Sequence, residues 1–81
     1  MDSVAVTMII TLNGEKKTVP DNVSVLGLLE FLKIQQQRVA VELNLEIVKK
    51  NTYPTMVLKD GDSVEIVSFM GGGQNSSEFP R

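Results

Sequence analysis

Gly71-Gly72-Gly73 is the stretch whose residue types could do chemistry, and it could do so because it lacks side chains. A glycine run is thin and conformationally unrestricted, so it can be threaded, extended, into another protein's active site. Were the chain to end there, its terminal carboxylate would be the reactive group. A carboxylate resists acyl transfer until one of its oxygens becomes a leaving group. Activation by ATP gives an acyl-adenylate, from which a sulfur nucleophile can displace AMP. Composition alone also fits a flexible linker. A phosphate cradle fits poorly, because a P-loop needs a following Lys and helix and here Gln74-Asn75-Ser76-Ser77 comes next.

The rest of the composition narrows the field. The chain has no Cys and no His, which removes disulfides, thiolate metal sites, thiol nucleophiles and the usual neutral-pH general base. Eight basic residues against ten acidic ones give a net charge of −2, so a basic footprint for nucleic acid or anionic lipid is missing. At 81 residues, 42% hydrophobic and 22% charged, the composition is that of one globular domain. A domain this small must commit nearly every apolar residue to its core, leaving little interior for a substrate pocket of roughly 300 Å³ or more. The expectation is a protein handled by larger partners, binding no cofactor or metal of its own, rather than an autonomous enzyme. Asp60 and Asp62 could be paired for acid/base work or Mg²⁺, but their spacing around Gly61 favours a turn with Asp capping the backbone. Lys49 and Lys50 read as a solvated loop, with an acidic partner surface as the alternative. Met1-Asp2-Ser3 has no positive n-region, and Thr7 and Thr11 break the apolar run at 4–12. That pattern fits neither a signal peptide nor a membrane span, so the expected location is cytoplasmic.

The elements that must position the glycines follow from patterning. Residues 4–12 are rich in β-branched residues and free of Gly and Pro, and Asn13-Gly14 is a hairpin signal returning the chain through Glu15 to Val19. Pro20-Asp21-Asn22 breaks the strand and Ser24 suits a helix N-cap. Val25, Leu28, Leu29 and Leu32 then lie on one helical face. Gly27 weakens this helix unless it admits a strand backbone closely, and Gln35-Gln36-Gln37 reads as the solvated exit. Val39 to Leu43 alternates as a third strand, Asn44 turns, and Leu45 to Val48 forms a short extended piece. Tyr53-Pro54 marks a turn, Met56, Val57 and Leu58 add core, and Asp60-Gly61-Asp62 turns again. Ser63 to Met70 is the final strand, with Val64 and Ile66 inward and Glu65, Val67 and Phe69 outward.

Strand, hairpin, strand, helix, strand, small strand, strand is an α+β order. The two-layer solution is a mixed sheet of four to five strands packed on one helix, with first and last strands parallel at the centre. This is the β-grasp arrangement of ubiquitin, with a domain over 1–70 and a glycine-bearing tail over 71–81. By parity, Ile9 shares the open face with Val67 and Phe69. Together with Met70 and Gly71 they would make an apolar docking surface beside the glycines.

The chain also resembles a known family. Asn13-Gly14-Glu15, the helix start from Ser24 to Leu29, Val39-Ala40-Val41-Glu42-Leu43-Asn44, Ile47-Val48, Leu58-Lys59-Asp60-Gly61-Asp62, Val64-Glu65-Ile66-Val67 and the diglycine are similar to the ThiS sulfur carriers of thiamin biosynthesis. The likeness covers about residues 8 to 73 with order and spacing intact. It implies that Gly73, preceded by Gly72, carries a carboxyl that an E1-like (ThiF-like) adenylyltransferase activates with ATP. The carboxyl then becomes a thiocarboxylate, its sulfur drawn from a donor such as a cysteine desulfurase system and delivered to a ThiG-like thiazole synthase.

One departure stands out: residues 74–81 follow the diglycine, so the Gly73 carbonyl lies in a peptide bond. Either a protease removes the segment or, since Glu78-Phe79 could be a translated cloning site, it is an expression remnant. A cut after Gly72 would also leave a diglycine end. Other classes remain: the small subunit of molybdopterin synthase, although Val67 to Met70 lacks its proline; a ubiquitin-like modifier; or a β-grasp interaction module with an inert tail.

Overall fold

Residues 6–69 are described by the computed structural model. β1 (Thr7–Leu12) and β2 (Glu15–Pro20) pair antiparallel from Thr7↔Pro20 to Leu12↔Glu15. Asn13 and Gly14 turn at φ +49° and +87°, the positive angles of a tight hairpin. The helix α1 (Val25–Phe31) follows, then a 3₁₀ turn at Gln36–Arg38, β3 (Val39–Leu43), β4 (Glu46–Ile47), a second 3₁₀ turn at Lys50–Thr52, and β5 (Ser63–Ser68). The sheet order is β2-β1-β5-β3-β4, with β5 parallel to β1 and antiparallel to β3. The expected mixed sheet of four to five strands with one helix, and parallel first and last strands, is the observed architecture, with five strands.

The β1·β5 ladder is short, pairing Thr11 with Ser63 and Leu12 with Val64. Side chains extend it at both ends. Asn13 donates through Nδ2 to the Ile66 carbonyl at 3.2 Å and accepts the Ile66 N–H on Oδ1 at 2.7 Å, standing in for one more strand residue. At the other end Asp60 Oδ1 accepts the Ile9 N–H at 2.8 Å. Asp62 Oδ2 accepts the Lys59 N–H at 2.8 Å, while its Oδ1 accepts from Asn44 Nδ2 at 3.1 Å. Both carboxylates therefore serve the turn around Gly61, whose φ is +89°.

Ser24 caps α1 as its type predicts, Oγ accepting the Gly27 N–H at 2.9 Å. Two further N-terminal donors are met by the segment between β4 and β5: Val25 N–H reaches the Met56 carbonyl and Leu26 N–H the Tyr53 carbonyl, at 2.8 and 2.9 Å. No strand crowds Gly27. A β-carbon there would meet Val23 Cγ2 at 2.7 Å and Ser24 Oγ at 3.3 Å, so what occupies the space is the helix's own entry loop.

The helix also stops earlier than the glutamines suggest. Lys33 has φ +63°, its N–H donating to the Glu30 carbonyl and that of Ile34 to the Leu29 carbonyl. This is a Schellman closure with Lys at a position that favours Gly. Lys33→Gly should raise stability by about 0.5–1 kcal/mol, the relief of a left-handed non-glycine residue less the added freedom of the unfolded chain. A higher urea midpoint at unchanged slope is the expected reading.

The core joins Met8, Ile10, Val19, Val25, Leu28, Leu29, Val39, Val41, Val48, Tyr53, Leu58 and Val64. Val57, expected as core, is instead exposed, its backbone bridging to Ser24 while Leu58 turns inward. Tyr53, read only as a turn marker, is 1% exposed. Burial pushes its phenol above the ordinary 10.0, partly offset by a hydrogen bond with the Val41 backbone. Below pH 10 the phenol is neutral in both states and its packing contribution is complete. As pH rises from the unfolded value toward the raised folded one, the unfolded chain ionises first and stability falls. Since Tyr53 is the single Tyr, phenolate absorbance should follow this group alone, and Tyr53→Phe should remove its part of the alkaline loss.

Candidate functional site: the carboxyl end of the central strand

β5 is the middle strand of the five and the element that leads to the glycines. Its last ladder pair with β3 is Val39↔Ser68. One residue further on, the Phe69 N–H donates to the Arg38 carbonyl at 2.9 Å, so pairing continues onto the 3₁₀ turn before β3. Met70, Gly71, Gly72 and Gly73 lie outside the described residues, as does the 74–81 segment.

Phe69 is half-buried rather than laid open beside Val67. The Lys50 ammonium sits 5.3 Å from its ring centroid and 5.8 Å from that of Tyr53, within cation–π range of both. Lys50 is exposed, as the solvated reading expects, but its ammonium is engaged by the fold. Its Nζ donates to the Gln36 carbonyl at 2.9 Å and the Val39 carbonyl at 2.7 Å. Sequence reasoning missed this cluster, whose only local signal is an aromatic three residues after a lysine; the carbonyls are brought there by tertiary structure.

The apolar surface expected from parity is divided. Ile9 and Val67 are both exposed, at 47% and 43%, and share the open face. The parallel register sets them at opposite ends of it. Ile9 lies level with Gly61, whose N–H it binds at 2.8 Å, and Val67 stands six residues further along. At strand rise this is about 20 Å. The expectation that Ile9 adjoins Val67 and Phe69 is thus corrected: alternation fixes the face of a residue but not its level. Around Val67 the open face instead holds Ala40 directly opposite, the Glu42↔Glu65 pair beside it, and Ile47 across from Glu42 at 73% exposure.

Two open grooves lie among the described residues. A groove of about 490 Å³ runs along the β3–β4 hairpin, lined by residues including Leu43, Ile47, Val48, Lys49 and Met56. Another of about 370 Å³ lies by Asn13, Lys16 and Leu32.

With this geometry the chain can be set beside known proteins. The ThiS family model matches residues 8–73. The crystal structure of a thiamine biosynthesis protein (ThiS) from Geobacter metallireducens superposes with a TM-score of 0.72 at 42% identity, covering 82% of this chain and all of that one. The sulfur carrier protein ThiS of Bacillus subtilis is 40% identical over 63 residues, 76% of this chain and 96% of its own length. A thiazole synthase of Paramagnetospirillum magneticum is 41% identical over 71 residues, which are 88% of this chain but 22% of that protein. The chain spans about a fifth of the length of the thiazole synthase relatives it matches. A β-grasp sheet whose central strand runs out toward a diglycine, and a family match reaching that diglycine, place this chain in the ThiS family.

Proposed function

We propose that this chain is a sulfur carrier of thiamin biosynthesis, a protein co-substrate whose reactive group is the carboxyl of Gly73 once residues 74–81 are absent. An oxygen of that carboxylate attacks the α-phosphorus of ATP in an E1-like adenylyltransferase, releasing pyrophosphate. A persulfide sulfur, supplied by a system such as a cysteine desulfurase, then attacks the acyl carbon, and AMP leaves with the oxygen. A thiol of the sulfur-transfer system attacks the donor's sulfur in the resulting acyl disulfide, forming a disulfide and releasing the thiocarboxylate that carries sulfur to thiazole synthase.

The observation that carries this reading is the extent of the family match, which runs through β5 and ends on Gly73. Support for the acceptor comes from two thiazole synthase relatives in which a segment like this chain makes up about a fifth of the protein. A surface around Val67, with Phe69, Met70 and Gly71 next in the sequence, is the proposed contact with the activating enzyme, and Ile9 lies too far along the sheet to share it. The test is intact mass after the Gly73-terminated protein meets the cognate activating enzyme, ATP and a sulfur source. Replacement of one oxygen by sulfur is expected. An unchanged mass, under conditions that charge the Bacillus subtilis carrier with its own enzyme, contradicts the reading and leaves an inert interaction module.

A further inference from the structure

We propose that Lys50 is a positioning residue that fixes the direction in which the chain leaves β5 toward the glycines; its consequence for charging rests on the carrier reading above. The ammonium has three donors, and two are directed onto the Gln36 and Val39 carbonyls at 2.9 and 2.7 Å. Those carbonyls flank that of Arg38, which accepts the Phe69 N–H at 2.9 Å. The cation is thereby held over the backbone that receives the end of β5. From there it lies 5.3 Å from the Phe69 ring and 5.8 Å from the ring of Tyr53. Tyr53 is 1% exposed and anchored in the core, so it serves as a fixed reference for the cluster.

One side chain thus ties together three parts of the fold: the core through Tyr53, the entry to β3 through two carbonyls, and the strand exit through Phe69. Phe69 lies just past the last ladder pair, held to the backbone by its bond to the Arg38 carbonyl and to the fold by its ring. A chain that must enter another protein's active site binds better when its departure angle is already set, because only the competent fraction of conformers contributes to affinity. Lys50 supplies no group to the acyl transfer in this scheme. Its loss should therefore raise KM for the carrier and leave kcat alone.

The proteins to compare end at Gly73 and carry the wild-type residue, Lys50→Met, Lys50→Arg, Phe69→Leu, or Lys50→Met with Phe69→Leu. In ATP–pyrophosphate exchange by the activating enzyme, Lys50→Met should raise KM about fivefold, in line with a cation–π contact and its tethers. Lys50→Arg should restore most of it, since guanidinium keeps the charge and the donors. Phe69→Leu should match Lys50→Met, and the double variant should be no worse than either. Independently of any enzyme, Lys50→Met should speed amide hydrogen exchange at Phe69 about tenfold while Leu28 and Val41 stay as slow as in wild type. Equal acceleration at Leu28 and Val41 would reduce Lys50 to a general stabilising residue, and unchanged exchange at Phe69 would overturn the proposal outright. Should Lys50→Met fail to fold, Phe69→Leu, which keeps the carbonyl tethers, decides: an unaltered KM refutes the proposal. Should the wild type itself not be charged, the carrier reading fails, and exchange at Phe69 still judges Lys50.

Discussion

Given the activating enzyme and ATP, the protein ending at Gly73 should support pyrophosphate exchange, and the 81-residue chain should give only background. In the long form the Gly73 carbonyl is an amide. It has no carboxylate oxygen to attack phosphorus, and an adenylate cannot form without breaking the peptide bond to Gln74. The long form does end in a carboxylate, but it is carried on Arg81 behind Phe79 and Pro80. An active site entered by glycine backbone excludes a ring-bearing segment by size, and Pro fixes φ near −65° in addition. The difference should therefore be near complete rather than graded. Removing residues 74–81 with a protease, without any change of expression, should restore exchange to the level of the truncated protein. Activity of the intact 81-residue chain equal to that of the truncated one would mean that the reactive group is elsewhere.

Leu29→Ala should lower the melting temperature of the domain by about 10–40 °C. Leu29 is fully buried on the inner face of α1, in one cluster with Met8, Ile10, Val41 and Val64 from the sheet. Truncation of a buried Leu costs about 2–5 kcal/mol through lost transfer energy and the cavity left behind. A domain of this size holds only about 3–10 kcal/mol in total, at the usual stability per residue. With neither disulfide nor described metal to compensate, the loss takes away about half of that margin. Phe31→Ala, two positions away but 47% exposed, should shift the melting temperature far less. A thermal melt followed by circular dichroism checks both. A cooperative transition for Leu29→Ala within a few degrees of wild type would show that the helix–sheet interface is not the main source of stability.

Local signals carried the architecture because here they agree with the tertiary structure. Asn13-Gly14 has the two positive φ values its turn needs, Ser24 caps the helix it precedes, and alternation sorts Val64 from Glu65. The readings that failed depend on information a local window does not hold. Lys33 closes the helix in a left-handed conformation with no glycine to announce it. Leu45 does the same in the β3–β4 hairpin, at φ +74°. Tyr53 lies in a loop with no period, so nothing marked it as core. The level of Ile9 relative to Val67 is set by the parallel β1·β5 register, which joins segments more than fifty residues apart. The partners of the exposed Lys50 are hidden for a related reason: backbone carbonyls leave no trace in side-chain spacing. The candidate site was legible where glycine chemistry defines it, and not where long-range pairing holds the strand that leads to it.

The most direct measurement is the intact mass of the protein isolated from its own cells under thiamin limitation. A carrier worked through a free Gly73 carboxyl predicts molecules ending at that residue, a share of them heavier by the exchange of one oxygen for sulfur. A preparation in which every molecule still extends through Arg81 and none carries added sulfur would contradict it.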